Sequence, residues 1–265
     1  MGYLHLKGMK IALLLICSLF VIPAAAQTVG AWPLPAGFQR MPQSPGSFGA
    51  WLRNVPLKKT ATVYLFNGEK KRNQSAQVAV LDISTGKKDL QQCADAVMRL
   101  YAEYLYANKK YGQIMFNATD GTPMDYGAWR QGRRWKLRGN KLAGIHSAAP
   151  CDTRACFDEY LETVFTYAGT ISLKKQLQPV RNSADIRPGD VFIESGSPGH
   201  AVIVMDVAVN SFGEKRFLLA QSYMPAQDMH LLKNPSAASA WYALPGNTLR
   251  TPEWTFGNGS ALMRF

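Results

Sequence analysis

The stretch Gly199-His200-Ala201-Val202-Ile203-Val204-Met205-Asp206-Val207-Ala208-Val209 decides the reading of the fold. Ala201 to Val209 is apolar except for Asp206, which predicts a strand covered on both faces and central in its sheet. Asn210 to Gly213 carries turn residues, and Arg216 to Tyr223 returns the chain as an antiparallel partner. Upstream, Pro188-Gly189-Asp190 is a turn feeding a short strand over Val191 to Ile193. The Ser197-Pro198-Gly199 loop then leads into His200, a polar ring at the head of the strongest strand.

Working outward, two segments have helical periodicity. Asp89 and Gln92 make a capping-box pattern, and Cys93, Val97, Leu100, Tyr101 and Tyr104 follow on one apolar face, with the helix ending near Asn108. A second helix is expected from Thr153 to Tyr167, with Gly169 as its stop. Ala61 to Phe66 and Gln77 to Ile83 read as strands around an Asn67-Gly68 turn. Gln113 to Phe116 reads as another strand, and Trp129 to Arg138 as a short helix and loop. The pattern predicts an α+β fold, with an antiparallel sheet of roughly five or six strands packed by two main helices. Residues 48–265 form a single domain in this reading. Residues 27–47, rich in Pro, Gly and Gln, are an extended arm with little structure of their own. The tail around Trp241 and Trp254 is an irregular C-terminal wrap.

The N-terminus carries Lys7 and Lys10, an apolar run from Ile11 to Ile22, and Ala24-Ala25-Ala26 before Gln27. That is the pattern of a signal peptide over 1–26. The run is shorter than the ~18 residues a spanning helix needs. The expectation is an exported protein, periplasmic or extracellular, without a transmembrane segment in the mature chain. The 265-residue chain has a formal charge of +12, and removing two lysines with the signal leaves +10. Such a charge suits an anionic envelope polymer as partner. No nucleic-acid module is present, so nucleic acid is not an expected partner.

Three cysteines remain after residue 26: Cys93, Cys151 and Cys156. Cys93 lies early in its helix, where unpaired N–H groups favour a thiolate and hence a nucleophile. Its place on the apolar stripe also fits a small core hydrophobe. His200 fits a general base, and equally a hydrogen-bonded core histidine. Gln221 on the return strand is positioned to fix the imidazole tautomer, although parity along a strand is open to a one-residue slip. Asp206 lies about 20 Å along the strand from His200 and is too far to do so. Gln92, or a backbone N–H at the helix start, is the oxyanion candidate. Cys156 is the alternative nucleophile unless Cys151 traps it in a disulfide. Trp129, Arg130, Arg133 and Trp135 are candidates for a ligand surface, because such a mix stacks on sugars and pairs with anions. The same segment also fits a solvated face anchored by its tryptophans. Cysteine and histidine spacing implies no metal site, and no cofactor is implied.

The stretch from Cys156 to Ser222 resembles the NlpC-type branch of papain-like cysteine amidases and endopeptidases. The resemblance rests on Tyr167-Ala168-Gly169, on Ile186-Arg187-Pro188-Gly189-Asp190-Val191-Phe192-Ile193 and on Gly199-His200-Ala201-Val202-Ile203-Val204. It implies a papain-like core in which His200 is the base of a thiol hydrolase cleaving an amide bond, with cell-wall peptide as the expected substrate. The Asp-Cys-Ser/Gly step of that group is absent; Ala155-Cys156-Phe157 stands there. The mature chain as a whole resembles an uncharacterised family of exported bacterial proteins, a domain-of-unknown-function family. That resemblance runs through Gly46 to Arg53, Leu90 to Val97, Phe165 to Leu173, Gly189 to Asp206 and Leu219 to Gln227. It implies Cys93, rather than Cys156, as the nucleophile. The competing function is a non-catalytic envelope binding or scaffold protein that keeps the fold. A redox thiol role ranks last, for want of a Cys-x2-Cys pair.

Overall fold

His200–Asn210 is an eleven-residue strand with nine buried positions, and the rest of the chain is arranged around it. The computed structural model describes Met1 and residues 27–265; apart from Met1, the expected signal peptide lies outside the described residues. In chain order, strand β1 is Phe38–Arg40, helix α1 Phe48–Arg53, β2 Gln77–Val80 and α2 Cys93–Ala107. There follow β3 (Met115–Asn117), β4 (Pro123–Asp125), α3 (Tyr126–Arg130), β5 (Arg133–Arg138), β6 (Lys141–His146), α4 (Arg154–Tyr167), α5 (Thr170–Gln176) and β7 (Gln178–Pro179). The C-terminal part holds β8 (Val191–Glu194), β9 (His200–Asn210), β10 (Lys215–Gln221), β11 (His230–Leu232), β12 (Tyr242–Ala243), β13 (Leu249–Arg250), β14 (Thr255–Phe256) and β15 (Ser260–Arg264).

The fold is α+β with an antiparallel nine-stranded sheet in the order β2-β11-β10-β9-β8-β15-β7. β1 and β12 pair off this path with β9 and β10. Alternation along β9 sends Ala201, Ile203 and Met205 into the core with α2 and α4. Val202, Val204 and Val207 enter a second core with Phe217, Leu219 and Phe256. Both faces are therefore covered, which is why the strand is apolar almost throughout. Gly189 has φ +95°, and a Cβ there would meet the Phe48 ring at 2.7 Å, so the turn into β8 requires glycine.

Several local expectations are corrected. α2 starts at Cys93 with Gln92 as N-cap, and Asp95, not Gln92, supplies the returning side chain: its Oδ2 accepts from Gln92 N–H at 3.1 Å. Asp89 instead accepts from Ala226 N–H (2.7 Å) and the Gln92 side chain (3.2 Å), tying the loop before α2 to the loop after β10. Residues 61–66 make isolated bridges rather than a strand, because Gly68 closes a turn back onto Leu65 and Tyr64 bridges to Lys70. The arm 27–47 is not bare linker. β1 adds to the far end of β9, pairing Arg40 with Ala208. The expected 113–116 strand runs over Met115–Asn117. Residues 133–138 form a strand paired with β6, since Gly139 and Asn140 make a hairpin turn of them. The tail is no irregular wrap alone: β15 is inserted between β8 and β7.

Candidate functional site

The first turn of α2 and the head of β9 meet at one end of the sheet. Cys93 is the first helical residue, and its Sγ lies 4.0 Å from the Gly199 carbonyl oxygen. The Ala201 N–H also favours the thiolate. Burial outweighs that help and the helix start, and pushes the Cys93 pKa up to about 11. The sequence expectation of a depressed thiol is therefore corrected, since Cys93 is 6% exposed and loses more solvation than the local dipoles return. Gly199 permits the close approach of the loop: a Cβ there would fall 2.6 Å from Thr170 Oγ1 and 2.7 Å from the Gly196 carbonyl oxygen.

His200 leaves β9 on the face of Val202 and Val204, away from α2, so thiol and ring approach the strand end from its two sides. Gln221 shares that face. The amide of Gln221 donates from Nε2 to Glu253 Oε2 at 2.9 Å, which turns its Oε1 toward His200 Nε2 at 2.8 Å. The imidazole proton therefore sits on Nε2, and Nδ1 keeps its lone pair. Lys71 Nζ donates to the same Glu253 carboxylate at 2.6 Å, and Asn73 donates to its other oxygen at 3.1 Å. Tyr223, Trp254 and Phe256 enclose the ring, with centroids at 5.0, 5.2 and 5.7 Å. Burial is the first cause that lowers the His200 pKa to about 4, and the nearby Lys71 charge acts in the same direction. The Gln221 bond opposes both. Cys93 and His200 make no hydrogen bond with each other among the described residues.

A cavity of about 290 Å³ opens at this junction. Cys93, Gln92, Asp95, Gly199, Thr170 and Met224 are among its walls. Gln92 lines this cavity beside the helix-start N–H groups, with its Nε2 donating to Asp89 Oδ1 at 3.2 Å. Asp95 is buried at 6% exposure, its Oδ1 has no partner among the described residues, and burial raises its pKa well above the ordinary carboxyl value. His230, on β11 opposite Gln221, is fully buried with Nε2 unpartnered among the described residues, and burial lowers its pKa to about 3.

Sequence reasoning missed Glu253, Lys71, Trp254 and Asp95. The only local signal was the Glu253-Trp254 pair in an otherwise Pro- and Gly-rich tail. Cys156 is removed as the alternative nucleophile, because its sulfur is bonded to Cys151 and lies in the α4 core. Cys93 is the free cysteine of the described residues. The proposed ligand surface is also corrected. Trp129 and Trp135 are 4% and 5% exposed and stack on one another at 6.1 Å, so neither offers a face to a sugar. Arg134 covers the Trp129 ring at 3.8 Å, and Arg130 lies over Tyr111 at 4.6 Å. Arg133 alone of the four candidates is exposed. No group of three or more His, Cys, Asp or Glu side chains among the described residues is arranged to hold a metal ion. No described helix is long and apolar enough to cross a membrane.

No curated protein and no solved structure matches the chain. A family model does match, over residues 30–264, and spans both cores, the α2 start and the Glu253 tail. The chain belongs to the family described as Domain of unknown function (4846).

Proposed function

We propose that this chain is an exported thiol hydrolase with a papain-like, NlpC-like core that cleaves an amide bond in cell-wall peptide. The observation that supports this reading is the chain Lys71–Glu253–Gln221–His200, which fixes the tautomer and leaves Nδ1 without a hydrogen bond among the described residues, on the residue next to Gly199, which lies 4.0 Å from the Cys93 thiol and lines the cavity with it. With the thiol near 11 and the imidazole near 4, the resting pair is neutral. Catalysis then runs by general base rather than from a preformed ion pair. His200 Nδ1 takes the Cys93 proton as Sγ attacks the carbonyl carbon. Helix-start N–H groups and the Gln92 amide hold the oxyanion. The imidazolium returns the proton to the leaving amine, and water, deprotonated by His200, cleaves the thioester to acid and free thiol.

The test is release of new amino groups from short cell-wall peptides. Wild type is expected to release them, and Cys93→Ala and His200→Ala to abolish release. Gln221→Ala is expected to lower kcat by about tenfold to a hundredfold while leaving KM nearly unchanged. The rate should stay flat from neutral pH down toward about pH 4, where His200 gains its proton. Equal release by wild type and Cys93→Ala would overturn the assignment.

A second reading, a non-catalytic envelope binding or scaffold protein, is favoured by one observation: Cys93 and His200 are 6% and 1% exposed. Iodoacetamide labelling with mass spectrometry separates the two. In the hydrolase reading Cys93 labels in the folded protein, at a rate that climbs with pH. In the binding reading it labels only on denaturation.

A further inference from the structure

β5 and β6 pair only with each other and stand apart from the nine-stranded sheet. Trp135 and Leu142, on one face of this hairpin, are buried in the core, and Leu142 stands directly opposite Leu137. At the outer end Lys136, Leu137, Arg138 and Lys141 are all exposed, Leu137 at 61%. None of these cations, nor Arg133, makes a salt bridge among the described residues. Arg138 stands directly opposite Lys141, a like-charge pair that works against the hairpin itself. Asp120, which packs on β6, accepts from the N–H groups of Leu142 (2.6 Å) and Thr122 (2.8 Å), and its charge is felt by Lys141 without a salt bridge between them.

We propose that this hairpin tip docks the protein on an anionic phospholipid surface. The tip enters end-on, so that Lys136, Arg138 and Lys141 on one face of the hairpin meet the lipid phosphates and Leu137 on the other face reaches the boundary of the acyl chains. Charge complementarity supplies the attraction, and a surface of fixed negative potential rewards each such cation. Two observations favour lipid over an anionic polysaccharide. The tryptophans of the hairpin are buried, so no ring is offered for stacking on a sugar. Leu137, close to the Gly139–Asn140 turn, is 61% exposed, and an exposed leucine gains only from an apolar partner. The inference is independent of the hydrolase reading.

Co-sedimentation with vesicles tests it, using neutral phosphatidylcholine and a phosphatidylcholine–phosphatidylglycerol mixture. Residues 11–22 are themselves apolar, so the readout is the difference between wild type and hairpin variants of the same chain. Wild type is expected to partition onto the anionic vesicles, and added salt to weaken the binding. The triple variant Lys136→Glu, Arg138→Glu, Lys141→Glu should lose about a hundredfold in partition coefficient. Leu137→Ser should lose several-fold with the charge unchanged. The substituted side chains are exposed, so melting temperatures should match wild type and report that each variant folds. Equal partition of wild type and triple variant overturns the proposal. So does binding to soluble polyphosphate as tight as to vesicles and indifferent to Leu137→Ser, which would assign a general polyanion surface.

Discussion

The two ends of β9 bury polar groups in opposite ways. At the far end Asp206 is fully buried, and its carboxylate is saturated. Arg40 Nε donates to one oxygen at 2.8 Å, Arg53 Nε to the other at 2.7 Å, and Val207 N–H to Oδ1 at 2.8 Å. Each arginine also bonds a backbone carbonyl, on Trp32 and Met41. Nothing there is left to react, and the cluster clamps β1 and α1 onto the strand. At the near end His200 has one ring nitrogen bonded and the other open, beside a thiol with no strong partner and an Asp95 oxygen with none. Complete satisfaction marks the Asp206 end as architecture. Incomplete satisfaction beside a cavity is the feature of the His200 end on which the proposed hydrolase reading rests.

The contrast breaks most visibly at the saturated end. Arg40→Ala with Arg53→Ala leaves a buried carboxylate without a cation and should cost roughly 3–5 kcal/mol in chemical denaturation. A loss below about 1 kcal/mol would mean that Asp206 is solvated and the clamp is not a clamp.

Acid sharpens the other end. A histidine whose folded pKa lies below its unfolded value binds fewer protons when folded, so its stabilising effect is complete above the unfolded pKa. That effect declines as pH falls toward the folded pKa. With 6.5 lowered to about 4, His200 should shed about 3 kcal/mol over that window. His230, pressed to about 3, adds to the loss over the same range. An NMR titration of the imidazole C2 protons reads it directly. A midpoint for His200 near its ordinary value would place the ring in water and undo the fixed-tautomer argument.

The smallest effect belongs to Asp95. Its raised pKa means that the folded state holds a proton the unfolded chain releases, so its contribution is present below the unfolded carboxyl pKa and is lost as pH rises. Asp95→Asn keeps an acceptor for the Gln92 N–H and removes the buried charge. The variant should therefore match wild type in acid and equal or exceed it in stability above neutral pH. A less stable variant at every pH would show that the ionised carboxylate is paired after all.

Much of the fold was legible in the chain. The β9–β10 hairpin, its Asn210–Gly213 turn, the Val191 strand and the two long helices follow from apolar period and turn chemistry within consecutive residues. Cys93 and His200 were visible for the same reason, as residues at element starts. Strand parity was not legible, because a one-residue slip reverses faces. The pairing of Ala220 with Ile203 settles it and puts Gln221 on the His200 side. Nor was β5, where basic residues hide the alternation that Trp135 and Leu142 carry.

The sequence by itself determined which segments become helices and strands, where the central strand lies and which residues carry reactive groups. These properties depend on neighbours a few positions apart. Only the tertiary structure decided which groups meet and how much water they keep. Glu253 reaches Lys71 across 182 residues of chain and Gln221 across 32. Burial, which raises the thiol and lowers the imidazole, is likewise set by side chains from distant elements packed around them. Proximity across the chain and desolvation belong to the packed chain, and no local pattern encodes either.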